Sequence, residues 1–95
     1  MAMLDRLLAR MRRLVLECRY VVTLHADEES DADDLSVYDL ERIVLTGEIV
    51  ERQIDRTTGE RKYRIRGKTV GGVGAEAVVK IATTGKIVFL TVYTL

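Results

Sequence analysis

The spacing of apolar residues changes period at Gly47, and a fold that ignored the change could not bury them. Before it, Leu4, Leu7, Leu8, Met11, Leu14 and Val15 recur at helical intervals, with Arg6, Arg10, Arg12 and Arg13 mostly elsewhere on the wheel. That pattern predicts an amphipathic helix over roughly residues 2–17. The run 19-RYVVTL-24 is β-branched and aromatic, hence extended, and a short helical turn is expected after His25. Ser36 suits an N-cap whose side chain accepts from the Asp39 amide while the Asp39 carboxylate answers. Val37, Leu40, Ile43 and Val44 then share a face, and Gly47 is expected to close the helix as a C-terminal glycine.

Beyond Gly47 the reading is of strands. The segments 48-EIVERQIDR-56 and 61-RKYRIR-66, separated by 57-TTGE-60, predict a hairpin. A glycine-rich connection, 67-GKTVGGVGA-75, leads to 76-EAVVKIA-82, the turn 83-TTG-85 and 86-KIVFLTVY-93. The last run is apolar on both faces, so it belongs in a central or covered position. With 95 residues the chain supports one core and one domain, residues 1–95. The expected class is α+β: N-terminal helices packed on one face of a four-stranded antiparallel sheet.

Charge is zero in sum but uneven along the chain: +3 over residues 1–20, −9 over 21–60 and +6 over 61–95. A neutral total gives no general pull toward nucleic acid, yet the last segment can still form a local basic face. No apolar run is long enough to span a bilayer. The basic start lacks the apolar core of a secretion signal, and Asp5 and Glu17 do not suit a presequence, so it reads as part of the fold. A single cysteine, Cys18, excludes an internal disulfide and suits a reducing cytosol. It is expected to pack rather than react. These features place the chain in the cytoplasm, away from membranes.

The only histidine, His25, precedes six carboxylates in eight residues: Asp27, Glu28, Glu29, Asp31, Asp33 and Asp34. As a calcium loop starting at Asp27 the stretch fails, because Ala32 falls at the obligatory glycine and Tyr38 at the bidentate glutamate. With one histidine and no cysteine nearby, it is not a zinc site either, so no metal and no cofactor is expected. A solvated acidic segment ahead of the Ser36 helix is the expectation. The 67-GKT-69 tripeptide is a false phosphate-loop match, since Lys62 stands where a glycine is needed. The loose dinucleotide fingerprint 72-GVGAEA-77 runs into a strand where a helix should begin.

The informative signal is Arg61, Lys62, Arg64, Arg66 and Lys68. Alternation in a strand points Tyr63 and Ile65 into the core and Lys62, Arg64 and Arg66 outward as a cationic stripe, with Lys80 extending it from a neighbouring strand. Two readings stand. The stripe neutralises RNA phosphates or stabilises a scissile one. Alternatively it pairs across the hairpin with Glu48, Glu51 and Asp55. His25 is the side chain best able to move a proton near neutrality.

The order of these pieces resembles the bacterial domain-of-unknown-function family 4258. The matching features are His25-Ala26, the helix from about Ser36 to Thr46, Gly47, the hairpin over 48–66, Val78-Val79 and Thr91-Val92-Tyr93. That family is similar to the RelE-like and BrnT-like toxins of toxin–antitoxin pairs. The resemblance implies a RelE- or barnase-like fold, a metal-independent endoribonuclease and an antitoxin partner. On that reading His25, Arg64, Arg66 and Tyr93 are the catalytic residues, with Tyr63 an alternative to Tyr93. Lys62, Lys68 and Lys80 bind RNA. The family's arginine after His-Ala is missing, its place taken by 27-DEESDADD-34, and acidic residues there repel RNA. The competing expectation is therefore a non-catalytic interaction module, with the helix over 2–17 as a homodimer surface.

Overall fold

The computed structural model describes residues 3–95, so the first residue of the expected N-terminal helix lies outside the described range. Three helices, α1 (Met3–Leu16), α2 (Leu24–Ala32) and α3 (Val37–Thr46), accompany five strands. The strands are β1 (Tyr20–Val22), β2 (Glu48–Ile54), β3 (Arg61–Lys68), β4 (Gly74–Ile81) and β5 (Ile87–Thr94). They form one sheet in the order β1-β5-β4-β3-β2. The meander from β2 to β5 is antiparallel, as its hairpin signals require. The expectation of four strands is corrected to five: the extended run after α1 pairs parallel with β5, Tyr20 opposite Ile87 and Val22 opposite Phe89. β5 is thereby flanked by strands on both sides, which explains its apolar composition.

α1 and α3 cover one face, and α2 lies along the β5 edge. The alternation of β3 and β4 sends Tyr63, Ile65, Ala75, Ala77 and Val79 to that side. They meet Met11, Leu14 and Val15 of α1 and Leu40, Ile43 and Val44 of α3 in a single core. Leu8 and Met11 of α1 are buried in the chain's own interior, leaving Met3, Leu4 and Leu16 exposed. Cys18 does not pack as expected: it is exposed and takes a left-handed conformation, φ 56°, just after α1.

The capping box at Ser36 forms as read, with the Ser36 amide donating to Asp39 Oδ2 at 2.8 Å. Asp39 Oδ1 also accepts from the Val70 amide at 2.9 Å, tying the start of α3 to the glycine-rich turn. These backbone donors, Ser36 first and then Val70, hold the Asp39 carboxyl below its usual range. At the other end of α3, Gly47 is the C-cap as read, in an extended conformation (φ −94°, ψ −178°). Its lack of a side chain serves proximity. A Cβ there would meet the Ile43 carbonyl and lie 2.7 Å from the Arg66 carbonyl, and one on Gly67 would also meet Ile43. Two facing glycines thus let the end of α3 touch the backbone of β3. Arg12 of α1 completes the junction, donating through Nε to the Val44 carbonyl (3.3 Å) and through Nη2 to the Gly47 carbonyl (2.8 Å). Those are the carbonyls that a helix terminus leaves without partners.

The acidic stretch is solvated as expected, with Asp27, Glu28, Asp31, Asp33 and Asp34 exposed, but most of it is helix where only a short turn was expected. Thr23 caps it, accepting from the Ala26 amide at 3.1 Å. β1 ends too early to pair with the far half of β5, and α2 takes its place. Glu29 Oε1 accepts from the Val92 amide at 3.1 Å, and Asp33 Oδ2 from the Thr94 amide at 2.8 Å. One carboxylate on α2 and one at its C-cap, four residues apart, therefore satisfy the alternate amides of a strand edge.

Two tests follow from this packing. Gly47→Ala is expected to cost about 3 kcal/mol in urea unfolding, whereas Gly71→Ala, where a Cβ meets nothing closer than Thr69 Oγ1 at 4.0 Å, should change stability by less than about 0.5 kcal/mol. Equal stability of the two variants would mean that α3 and β3 are not in backbone contact. In hydrogen exchange, Glu29→Ala should speed the Val92 amide and Asp33→Ala the Thr94 amide, each with little effect on β3. Uniform acceleration across the sheet would contradict a local edge cap.

Candidate functional site

The face of the sheet turned away from the helices carries the charged side chains. Lys62, Arg64 and Arg66 do lie on one side of β3, opposite to buried Tyr63 and Ile65. The register sets Arg66 directly across from Glu76 of β4, and Glu76 directly across from Tyr93 of β5. Residues of the two flanking strands consequently converge on one carboxylate of β4.

Glu76 is only 2% exposed, beneath side chains that lie over it. Arg66 Nε donates to Oε2 at 2.6 Å, Arg64 Nη1 reaches both oxygens at 3.0 and 3.1 Å, and the Tyr93 hydroxyl donates to Oε1 at 2.5 Å. Burial pushes the Glu76 carboxyl up, but the hydrogen bonds from Tyr93, Arg66 and Arg64 together outweigh it and bring the pKa down to about 2. The bond to Glu76, with burial added, raises the Tyr93 hydroxyl above its ordinary value. Arg64 is clamped from both sides, since its Nε also donates to Glu51 Oε1 at 3.2 Å. Gln53 donates to the same Glu51 oxygen at 2.6 Å; this bond first, and then Arg64, lowers the Glu51 carboxyl.

The two arginines differ in what they keep free. The Arg64 side chain is 26% exposed and committed to two carboxylates. That of Arg66 is 54% exposed and bound through Nε alone, so its two terminal nitrogens face solvent without a partner among the described residues. An incoming anion would find that fork first.

Arg64, Arg66 and Tyr93 thus come together, while His25 does not join them. His25 sits on α2 beside the edge of β5, exposed, with Nε2 3.2 Å from Glu29 Oε1, and none of the hydrogen bonds of the cluster reaches it. Lys62 lies 3.8 Å from Asp55, and Lys80 is 3.2 Å from Glu60. Lys68 is exposed with no carboxylate partner among the described residues. The cross-hairpin pairs expected for Glu51 and Asp55 form, but Glu48, although opposite Arg66, loses it to Glu76. Glu76 itself was not anticipated. Its signal was nonetheless present: it is the only acidic residue after position 60, and it lies on the same face of its strand as Lys80.

The arrangement defines a small α+β domain with one covered sheet face and one open face built around a desolvated carboxylate and two guanidinium groups. Residues 22–94 match the family model of a domain of unknown function (DUF4258), and the chain belongs to that family. No curated protein and no solved structure matches it. The helix α1 precedes the matched region. No helix among the described residues is long and apolar enough to cross a membrane.

The coupling of Glu76 to its donors has a sign that can be tested. Its pKa is lowered on folding, from 4.5 to about 2, so its stabilisation is full above about pH 4.5 and is lost as pH falls toward 2. Glu76→Gln should reduce stability near neutral pH by about 2–4 kcal/mol and make the acid-induced loss shallower. An unchanged acid slope in the variant would assign that loss to other carboxylates, Asp39 and Asp55 first among them.

Proposed function

We propose that the chain is a metal-independent endoribonuclease of the RelE/BrnT-like toxin kind, with the open face of the sheet as its RNA-binding surface. The observation that carries this reading is the convergence of Arg64, Arg66 and Tyr93 on the buried carboxylate of Glu76. Phosphodiester cleavage by the RNA 2′-hydroxyl needs a base, a cationic clamp for the phosphorane and a proton for the departing 5′-oxygen. Glu76, the arginine pair and Tyr93 supply those roles in that order.

As the cluster stands, a carboxylate with a pKa near about 2 is a poor base. The substrate corrects this. A scissile phosphate binding the Arg66 fork competes with Glu76 for the guanidinium groups. Each hydrogen bond withdrawn lets burial raise the carboxyl pKa toward a useful range. Glu76 then takes the 2′-hydroxyl proton, the 2′-oxygen attacks phosphorus, and Arg64 and Arg66 hold the negative charge of the phosphorane. Tyr93, released from Glu76, gives its proton to the 5′-oxygen, leaving a 2′,3′-cyclic phosphate. Lys62, Lys68 and Lys80 flank the path of the strand, and His25 takes no part in this step.

A non-catalytic reading is favoured by a different observation. β2 forms an edge of the sheet with Val50 40% and Ile54 59% exposed, which suits strand addition by a protein partner such as an antitoxin.

Expression in a bacterium separates the two. Growth arrest with RNA cleavage is expected from the parent chain and is lost in folded Glu76→Gln and in Arg64→Ala/Arg66→Ala, but kept in His25→Ala. Arrest that disappears in His25→Ala would move the proton transfer to α2. Normal growth with intact RNA would sink the nuclease reading and leave the partner-binding one.

A further inference from the structure

A second cationic site lies away from Glu76, under the N-terminal helix. A cavity of about 470 Å³ opens between α1, the β2–β3 turn and the β4–β5 turn. Arg10, Arg61 and Lys80 line it, and Glu60 is its single acidic group, already paired with Lys80 at 3.2 Å. Arg10 and Arg61 have no carboxylate partner among the described residues. The fourth feature is Tyr63, whose residue is 92% withdrawn from solvent (8% exposed) and lines the cavity. Its hydroxyl makes no hydrogen bond among the described residues, and no buried side-chain oxygen is left enclosed without a partner, so that hydroxyl keeps contact with solvent on a residue that lines the cavity. Leu7 of α1 adds an apolar wall.

A space of this size, lined by three cations, a tyrosine and apolar side chains, has the dimensions and polarity of a small-ligand site. The donors are all cationic or hydroxylic, so they select an anion that accepts several hydrogen bonds at once. We infer that this cavity binds a phosphorylated ligand of mononucleotide size, its phosphate held by Arg10, Arg61 and the Tyr63 hydroxyl, and its apolar portion set against Leu7. Lys80 joins by exchanging Glu60 for the phosphate. The ligand is a free nucleotide or one unit of an RNA strand; both present the same phosphate chemistry. The site shares only Lys80 with the proposed RNA path, and α1, which precedes the family match, contributes Leu7 and Arg10 to it.

Calorimetric titration of the full chain with adenosine monophosphate, adenosine, inorganic phosphate and a short oligoribonucleotide tests the assignment. Adenosine monophosphate is expected to bind, to weaken with salt, and to lose about tenfold or more in affinity in Arg10→Ala/Arg61→Ala, whose side chains are exposed and not needed for folding. Tyr63→Phe should weaken binding with the fold intact. Tighter binding of the oligoribonucleotide than of the monophosphate identifies an RNA subsite; the reverse identifies a free-nucleotide site. Absence of adenosine monophosphate binding, equal binding of adenosine, or affinity unaffected by the double variant would overturn the inference. Because the readout is binding rather than cleavage, failure here and failure of the nuclease reading are told apart.

Discussion

The approach of α3 to β3 decides which side of the sheet is left for function. Gly47 and Gly67 let backbone meet backbone, and Arg12 of α1 locks the junction by occupying the helix-terminal carbonyls. With α3 held there, Ile43 and Val44 can only bury the Tyr63–Ile65 side of β3. The period of two then forces Lys62, Arg64 and Arg66 to the other side, since a one-residue slip would put three cations in the core. The charged face is a consequence of helix placement, and so is the position of Glu76, which the register brings opposite Arg66.

That register creates an energetic tension. A carboxylate on the open face should be solvated, yet Glu76 is covered by the side chains that pair with it. Removing any donor leaves a desolvated anion with fewer partners, which is costly in the resting state and is also what a base would need. On the proposed reading, the resting cluster and the base are the same feature seen without and with a competing phosphate. Arg66, half-exposed and bound by one nitrogen, is the point at which such a competition would begin.

Much of the fold was legible because local patterns agree with it. The helical spacing of α1, the Ser36 capping box and the turn chemistry at residues 57–60 and 83–85 all depend on neighbours in sequence. Two things were not legible for a common reason: both depend on contacts across long separations. The run at 19–24 reads as extended, but only its parallel partner sixty-odd residues later makes it a strand. The carboxylates of α2 read as solvent-facing until β5 supplies unpaired amides for Glu29 and Asp33. The stripe on β3 was visible from alternation alone. Its central carboxylate was not, because β4's register against β3 is set by the length of the intervening turn and by packing on the hidden face.

A net charge of zero conceals how the charges are used. About half of the acidic residues in the middle of the chain are committed: Glu29 and Asp33 cap a strand edge, Asp39 fastens a helix to a turn, and Glu51, Asp55 and Glu60 pair with cations of the sheet. Commitment of the acids does not release an equal number of bases in place. It leaves positive groups where no carboxylate was positioned to answer: Lys68 and the outer nitrogens of Arg66 on the open face, and Arg10 with Arg61 around the cavity beneath α1. Local excess of one sign beside a low-dielectric wall concentrates counter-ions far more than a sum over the chain predicts. The neutral total therefore carries no argument against an anionic ligand; the positions of the unanswered cations carry the argument for one.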